Sequence, residues 1–445
     1  MIAERLAQHI DAEGYAILST LVDEIQEKVQ PDVRVGSQAE QQAIDITDRI
    51  VGGSIIYGSA LEGSGEYMKR CRHGQCVVLR GKGMERFRKL IHSVSREREV
   101  YASVTTNFVE QTLFAWLLDS HDSKRVTQSL SVHLSNAIEA AIRTYKVHFL
   151  IMHLDIKRPF QIGRCDFGFF SGSFFDSLQG NSPEDPNSGF EVAREKYQGK
   201  VFVAIEVRAE AQRAGEIALE HCSLAVDVLK ICSDTLDDPT YKLSFDMDRR
   251  VRENLMNETI LCEVGKADSF NVTYTRQPNH HAIGDEEFAR MKSRQCGDIH
   301  RFIRSLSASP SEIERLILNA IRRFGAAIST TVLHQRTSEL FTILESLVVE
   351  DNDSRIIDSL CKYCSRLIFR KVEDRVDAIR ILKAMYKVRS AWMHHAKAKE
   401  FDMNDMRRLQ LIVLMVLLSL IQKSKSVKTK REVLAEIDSA ILAAG

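Results

Sequence analysis

The chain has 445 residues, with 61 Lys+Arg balanced by 61 Asp+Glu, 44% hydrophobic and 27% charged residues. That is the balance of a soluble globular protein of two or three domains. Nine cysteines, an odd number and scattered, argue against a disulfide framework and for reduced cytoplasmic thiols. No basic-then-apolar leader is visible, since Met1-Ile2-Ala3-Glu4-Arg5 opens directly into an amphipathic pattern, and no run is suited to crossing a membrane.

In chain order, Ile2 to Val29 reads as helix, with Leu18, Leu21, Val22, Ile25 and Val29 on one face. Cys71-Arg-His73-Gly-Gln-Cys76 offers three metal ligands in a turn-like stretch but no fourth, and stays unassigned. Residues 84–118 and 127–146 are mainly helical. From Phe160 the period changes to that of strands, at Phe160-Gln-Ile162 and Cys165-Asp-Phe167-Gly-Phe169, with a bulge expected at Gly163. Asn181 to Gly189 has the turn chemistry of a loop. Val201, Val203, Ile205 and Val207 alternate as a strand, and Ala214, Ile217, Ala218, Leu224 and Val228 mark a long helix. Further strands are expected at 259–264 and 269–276, then a helix from Asp285 to Leu306. Residues 1–306 are therefore an α+β region, with a possible internal boundary near 150. Gly81-Lys82-Gly83 and Gly265-Lys266 lack the remainder of a P-loop, so nucleotide phosphate binding of that kind is excluded. His280, His281 and His334 read as structural or exposed.

Residues 310–445 are nearly all helix, with Pro310 the one proline and Gly325 and Gly445 the glycines. Ser309-Pro310-Ser311-Glu312 has the form of a capping box. Five amphipathic stretches follow, carrying Ile313/Leu316/Leu318/Ile321/Phe324, Leu340/Phe341/Leu344/Leu347/Val348, Ile356/Ile357/Leu360/Leu367/Ile368, Val376/Ile379/Leu382/Met385/Tyr386, and the apolar run Leu409 to Ile421. That run is too short to span a bilayer and is charged at its ends, so it is a helix buried on all sides, by a central position or by a partner subunit. Homodimerisation is the favoured explanation. Cys361-Lys-Tyr-Cys364 has finger-like spacing but lies within a helical stripe without a second pair, which favours packing over metal.

Arg389 and His394 end the fourth of these stretches. Arginine is a permanent planar cation matched to phosphate, and histidine exchanges a proton near neutral pH, so the pair suits phosphodiester cleavage without a metal or other cofactor. Five helical positions rotate by about 140°, however, so convergence within one chain requires a bend, expected near Ser390. Glu345 sits inside an apolar helix stripe, where an isolated carboxylate is costly. It either bonds a backbone amide, snorkels to the edge, or holds the Arg389 guanidinium.

The helical bundle, Tyr386-x-x-Arg389-Ser-x-x-x-His394, and Leu344-Glu345-Ser346-Leu347 resemble the HEPN superfamily, in particular its Apea-like bacterial branch, over the last third of the chain. Arg208-Ala-Glu210 resembles the segment preceding that bundle. The resemblance implies an all-α HEPN-like bundle, a homodimer, and a metal-independent endoribonuclease of the kind found in toxin–antitoxin and anti-phage systems, with Arg389 and His394 catalytic and Arg389 within reach of Glu345. His395 occupies the position where a small residue is common, so either histidine satisfies the loose spacing. Ala396 stands where the nucleotidyltransferase-paired branch has a tyrosine, which counts against that branch.

Charge is split along the chain. Residues 311–445 carry 23 Lys+Arg against 17 Asp+Glu, and residues 1–310 carry 38 against 44. The basic part is where an RNA backbone would dock. The run from Lys423 to Arg431 is the densest in cations, and reads more as a solvated helix end than as an RNA contact. Two functions remain open on the sequence: a dimeric ribonuclease acting on RNA, restrained or aimed by its N-terminal region and answering to a phage-derived trigger or a neutralising protein, or an inactive HEPN interaction module whose upstream region senses a ligand.

Overall fold

The structure, a computed structural model, describes residues 2–25, 55–59, 66–72, 75–179, 194–247, 258–262, 270–274, 281–293, 296–307, 309–350 and 353–442. Two compact units are present: Met1–Tyr145 with Glu206–Ile217, and Lys146–Ile205 with Ala218–Gly445. Strands occupy the N-terminal and central stretches, and the C-terminal stretch is mostly helical. His73, His280, the loop expected at 181–189 and Gly265-Lys266 lie outside the described residues.

In the first unit, α1 (Glu4–Leu18) leads into a four-stranded antiparallel sheet of β1 (Val22–Ile25), β2 (Ile55–Ser59), β3 (Glu66–Arg72) and β4 (Gln75–Arg80), ordered β1-β4-β3-β2. The helix expected to reach Val29 stops at Leu18. The Ser19 and Thr20 hydroxyls donate to the carbonyls of Ala16 (2.8 Å) and Ile17 (2.7 Å), and hydroxyls that compete in this way end a helix. Then come α2 (Gly81–Ser95), α3 (Arg98–Ser103), α4 (Thr106–Asp122) and α5 (Leu130–Ala141). Their core gathers Ile10, Ile17, Phe87, Leu90, Phe114, Leu117, Leu134 and Ile138. The Asp11 carboxylate accepts from the backbone N–H (2.7 Å) and hydroxyl (2.9 Å) of Ser131, placing an anion at the start of α5 where the helix dipole favours one.

The central stretch builds a five-stranded sheet, ordered β10-β5-β9-β8-β7, from β5 (Arg143–Met152), β7 (Phe160–Ile162), β8 (Cys165–Phe169), β9 (Val201–Ala209) and β10 (Asp246–Met247). Ile162 pairs with Cys165 across a turn at Gly163, whose φ of +63° suits glycine. This is a hairpin turn in place of the expected bulge. A Cβ there would lie 2.7 Å from Ile303 Cγ2. Two short pairs complete the strands, β6 (Leu154–Ile156) with β13 (His281–Ile283) and β11 (Glu258–Cys262) with β12 (Phe270–Tyr274). The helices of this stretch are α6 (Gly172–Gln179), α7 (Ala211–Ile231), α8 (Asp285–Ser293) and α9 (Cys296–Ser305), so the helix expected from Asp285 to Leu306 is two. A disulfide joins Cys232, just past α7, to Cys296, the first residue of α9. The expectation of free thiols holds for Cys165, Cys222, Cys361 and Cys364, all buried, and fails for this pair, whose 64-residue separation carries no sequence signal.

Six helices, one more than expected, make the C-terminal bundle: α10 (Glu312–Ser329), α11 (Leu333–Val348), α12 (Ile356–Ile368), α13 (Val372–His395), α14 (Met403–Lys423) and α15 (Lys430–Leu442). The capping box is shifted by two residues, with Ser311 at the N-cap and Glu314 as its partner. The Glu314 carboxylate accepts from the Ser311 N–H at 2.7 Å, and Glu312 instead accepts from the Lys430 N–H at 3.3 Å. The apolar run of α14 packs against α10, α11, α12 and α13, and against α9. A central position inside one chain thus accounts for its burial, without a partner subunit. On α13 the buried stripe is Ala378, Ile381, Leu382, Met385 and Val388, rotated away from Val376, which is 61% exposed.

Two close fits lock the bundle to the central stretch. At Gly325 a Cβ would lie 2.5 Å from Asp227 Cβ, so α10 and α7 touch backbone to backbone. Arg336 is 2% exposed and donates to the carbonyls of Thr330 (3.0 and 2.7 Å) and Pro239 (2.8 Å) and to Gln410 Oε1 (3.2 Å). Gln410 in turn donates to the Thr235 carbonyl at 2.8 Å. Burial pulls the Arg336 guanidinium down to about 10, with carbonyl oxygens standing in for a counter-ion.

Candidate functional site

Arg389 lies on the next-to-last turn of α13, and Glu345 on the last turn of α11, the helix packed beside it. Arg389 Nη2 donates to Glu345 Oε2 at 3.1 Å, and Nη1 lies 3.0 Å from Oε1. Both side chains are about one-fifth exposed, at 18% and 21%. Of the alternatives open for Glu345, the one realised is the ion pair. Burial raises the Glu345 carboxyl above its ordinary range, and the neighbouring Arg389 charge pulls it back only in part.

The guanidinium is supported from below as well. It sits 5.3 Å from the Tyr386 ring centroid, and Tyr386 meets Phe341 edge-on at 5.3 Å. Tyr386 is one turn before Arg389 and Phe341 one turn before Glu345, so each helix supplies one aromatic and one charge at the spacing that brings side chains onto one face. Arg389 Nε is buried and has no hydrogen-bond acceptor among the described residues.

His394 and His395 occupy the last turn of α13, both exposed, with ring centroids 6.4 Å apart. The bend expected near Ser390 is absent: α13 is continuous from Val372 to His395 and stops at Ala396, whose φ of +49° is left-handed. The Ala396 and Lys397 N–H groups close the end on the carbonyls of Trp392 and Ala391, both 3.1 Å away. Ser390 therefore did not break the helix, and one protomer holds Arg389 and His394 about 140° apart around the axis and about 7.5 Å apart along it.

Sequence reasoning missed the groups that hold the histidine turn. His334 stacks on Trp392 at 5.3 Å, meets Phe401 edge-on at 5.2 Å, and its Nε2 donates to the Lys399 carbonyl at 2.9 Å. It ties the segment after α13 back onto α11. A lone histidine preceding α11's apolar stripe gave no sign of this. The basic run near the C-terminus is largely occupied: Lys423 pairs with Glu436, Lys425 donates to Gln422, and Lys430 to the Val349 carbonyl.

Among the described residues no group of three or more His, Cys, Asp or Glu side chains could hold a metal. Cys71 and Cys76 are opposed across β3 and β4. Cys361 and Cys364 are buried in α12, and burial pushes the Cys361 thiol up to about 11. No described helix is long and apolar enough to cross a membrane. The chain matches no protein-family model, no curated protein and no solved structure. Its functional reading is carried by its own residues.

Proposed function

We propose that the C-terminal bundle is a HEPN-like, metal-independent endoribonuclease that works as a homodimer, with Arg389 and His394 catalytic, His395 as the alternative histidine, and Glu345 as the positioning residue. The observation that supports this most is the Arg389–Glu345 pair: a guanidinium fixed on one edge by a carboxylate and from below by Tyr386, with 18% of the arginine side chain still exposed. A phosphate oxygen is the natural acceptor for it.

The 140° separation on α13 requires a second copy. The face of α13 lying between Arg389 and His394 carries Val372, Arg375, Ile379, Lys383, Tyr386, Ser390 and Met393, of which Val372 and Met393 are 64% and 58% exposed. Two copies meeting on that face flank the seam with two guanidiniums and two imidazoles. In the reaction the ribose 2′-oxygen attacks the adjacent phosphorus and yields its proton to one imidazole. The second imidazole gives a proton to the departing 5′-oxygen, while the guanidiniums neutralise charge on the non-bridging oxygens. The products are a 2′,3′-cyclic phosphate and a 5′-hydroxyl. DNA, lacking the nucleophile, is inert. The basic surplus of residues 311–445 favours the same substrate.

The inactive-module reading is favoured by one observation, the unbroken α13, which keeps the two groups apart in a single protomer. Purified protein incubated in EDTA with RNA oligonucleotides, and with copies bearing a single 2′-deoxynucleotide, separates the two. Cleavage with cyclic-phosphate ends that stops at the deoxy position supports the nuclease. Intact RNA, during incubation and on expression in phage-infected cells alike, supports the module.

A further inference from the structure

In the second unit a cavity of about 400 Å3 opens between the β7 edge of the sheet, the end of α7, and helices α8 and α9. That volume falls at the small end of the range for small-molecule sites. Its walls are apolar: Phe160 and Ile162 from β7, Val228 from α7, Phe288 and Met291 from α8, and the Cys232–Cys296 disulfide. It is independent of the Arg389 site and uses none of its residues.

The polar groups of this cavity are few and mostly of one kind. Lys292 lines it from an exposed position. His300 also lines it, and because its Nδ1 accepts the Gly163 N–H at 3.1 Å, the neutral ring carries its proton on Nε2 and so offers a donor. Cys296, Gly297 and Asp298 are the first turn of α9, where backbone N–H groups lack intrahelical acceptors and the dipole is positive. The disulfide fixes that turn to the end of α7. Among the described residues the Asp298 carboxylate is the one acid lining the cavity, and it is engaged by the Arg301 guanidinium one turn on. Lys292 then leaves the mouth with one net positive charge.

We propose that this cavity is a binding site for a small apolar molecule carrying a single carboxylate, with the hydrocarbon or aromatic part against Phe160, Ile162, Phe288 and Met291 and the carboxylate toward Lys292, His300 and the first turn of α9. Apolar walls supply the affinity, and the few donors at one end set orientation and select for negative charge.

Calorimetric titration of the full chain with 2-naphthoate, with the neutral isostere 2-naphthamide, and with 2-naphthylmethylammonium tests the proposal. The expected result is saturable 1:1 binding of the carboxylate, about tenfold or more tighter than the amide, with the ammonium weakest. Lys292→Gln should shrink the carboxylate preference to about twofold. Met291→Trp and Gly297→Leu, each of which fills the cavity, should abolish binding. Gly297 is helical, with Arg301 Nη1 3.5 Å from where a Cβ would sit, so it accepts a side chain even should the tryptophan variant fail to fold. No saturation by naphthoate up to about 2 mM, equal affinity for the amide, or unchanged binding by a folded cavity-filling variant would overturn it.

Discussion

Two arginines of the helical bundle are withdrawn from water, and they are held in opposite ways. Arg336 is closed in by two backbone carbonyls, those of Thr330 and Pro239, and by the Gln410 amide, with no carboxylate among these partners. Arg389 has one carboxylate on one edge, an aromatic ring beneath it and an orphan Nε. The first arrangement leaves the cation 2% exposed and closed to a ligand. The second orients a cation and leaves part of its donor capacity for something else. The two differ in exposure, 2% against 18%, and only the second has surface open to a ligand.

The comparison is broken most severely at Arg336. Arg336→Met removes the donors to Thr330, Pro239 and Gln410 and should lower stability by about 3 kcal/mol or more, seen as an earlier midpoint in urea unfolding. Arg389→Ala should cost far less stability, about 1–2 kcal/mol, because Glu345 is near enough to the surface to be rehydrated. It should nonetheless lower RNA cleavage by about a hundredfold or more. Similar stability losses from the two substitutions would erase the distinction.

A steric control lies between these. Gly325→Ala puts a methyl group 2.5 Å from Asp227 Cβ, and should destabilise by about 1–3 kcal/mol through separation of α10 from α7, with the cleavage rate per folded molecule unchanged. Circular-dichroism melts alongside active-site titration would show it.

The smallest expected effect concerns Glu345. Because burial raises its carboxyl above the ordinary value of 4.5, it takes up a proton at a higher pH than an unfolded glutamate does. Arg389 thus loses its orienting charge as pH falls toward that value from above. Cleavage should decline across this window in the wild type, whereas Glu345→Gln should be slower at neutral pH by about tenfold and should lose a smaller share of its remaining rate through the window. Parallel acid limbs in the two proteins would show that the pair does not position Arg389.

Much of the site was legible before any coordinates. A carboxylate inside the apolar stripe of Phe341, Leu344 and Val348 needs a partner or a route to the edge, and the family resemblance pointed to Arg389 as that partner. The strands at Phe160, Cys165 and Val201 and the long helix through Val228 were equally legible, since alternation and helical periodicity are local properties, whereas α6 between them was not expected. What escaped was decided by competition between local choices or by distant partners. Ser19 and Thr20 end α1, yet Ser390 does not end α13, whose closure falls at Ala396. The box forms at Ser311 with Glu314, two residues on from the one expected at Ser309, and Glu312 accepts from the N–H of Lys430, 118 residues away. Arg336 reads as an ordinary polar residue until Pro239 and Gln410 are beside it, and Cys232 bonds Cys296 across a separation of 64 residues.

The claim that Arg389 is a working cation is tested most directly by the initial rate of RNA cleavage in EDTA, measured for the wild type and Arg389→Ala at equal dimer content established by sedimentation. The account predicts cyclic-phosphate products from the wild type and a rate lower by about a hundredfold in the variant. Equal rates, or an enzyme that cleaves only when a divalent metal is added, would contradict it.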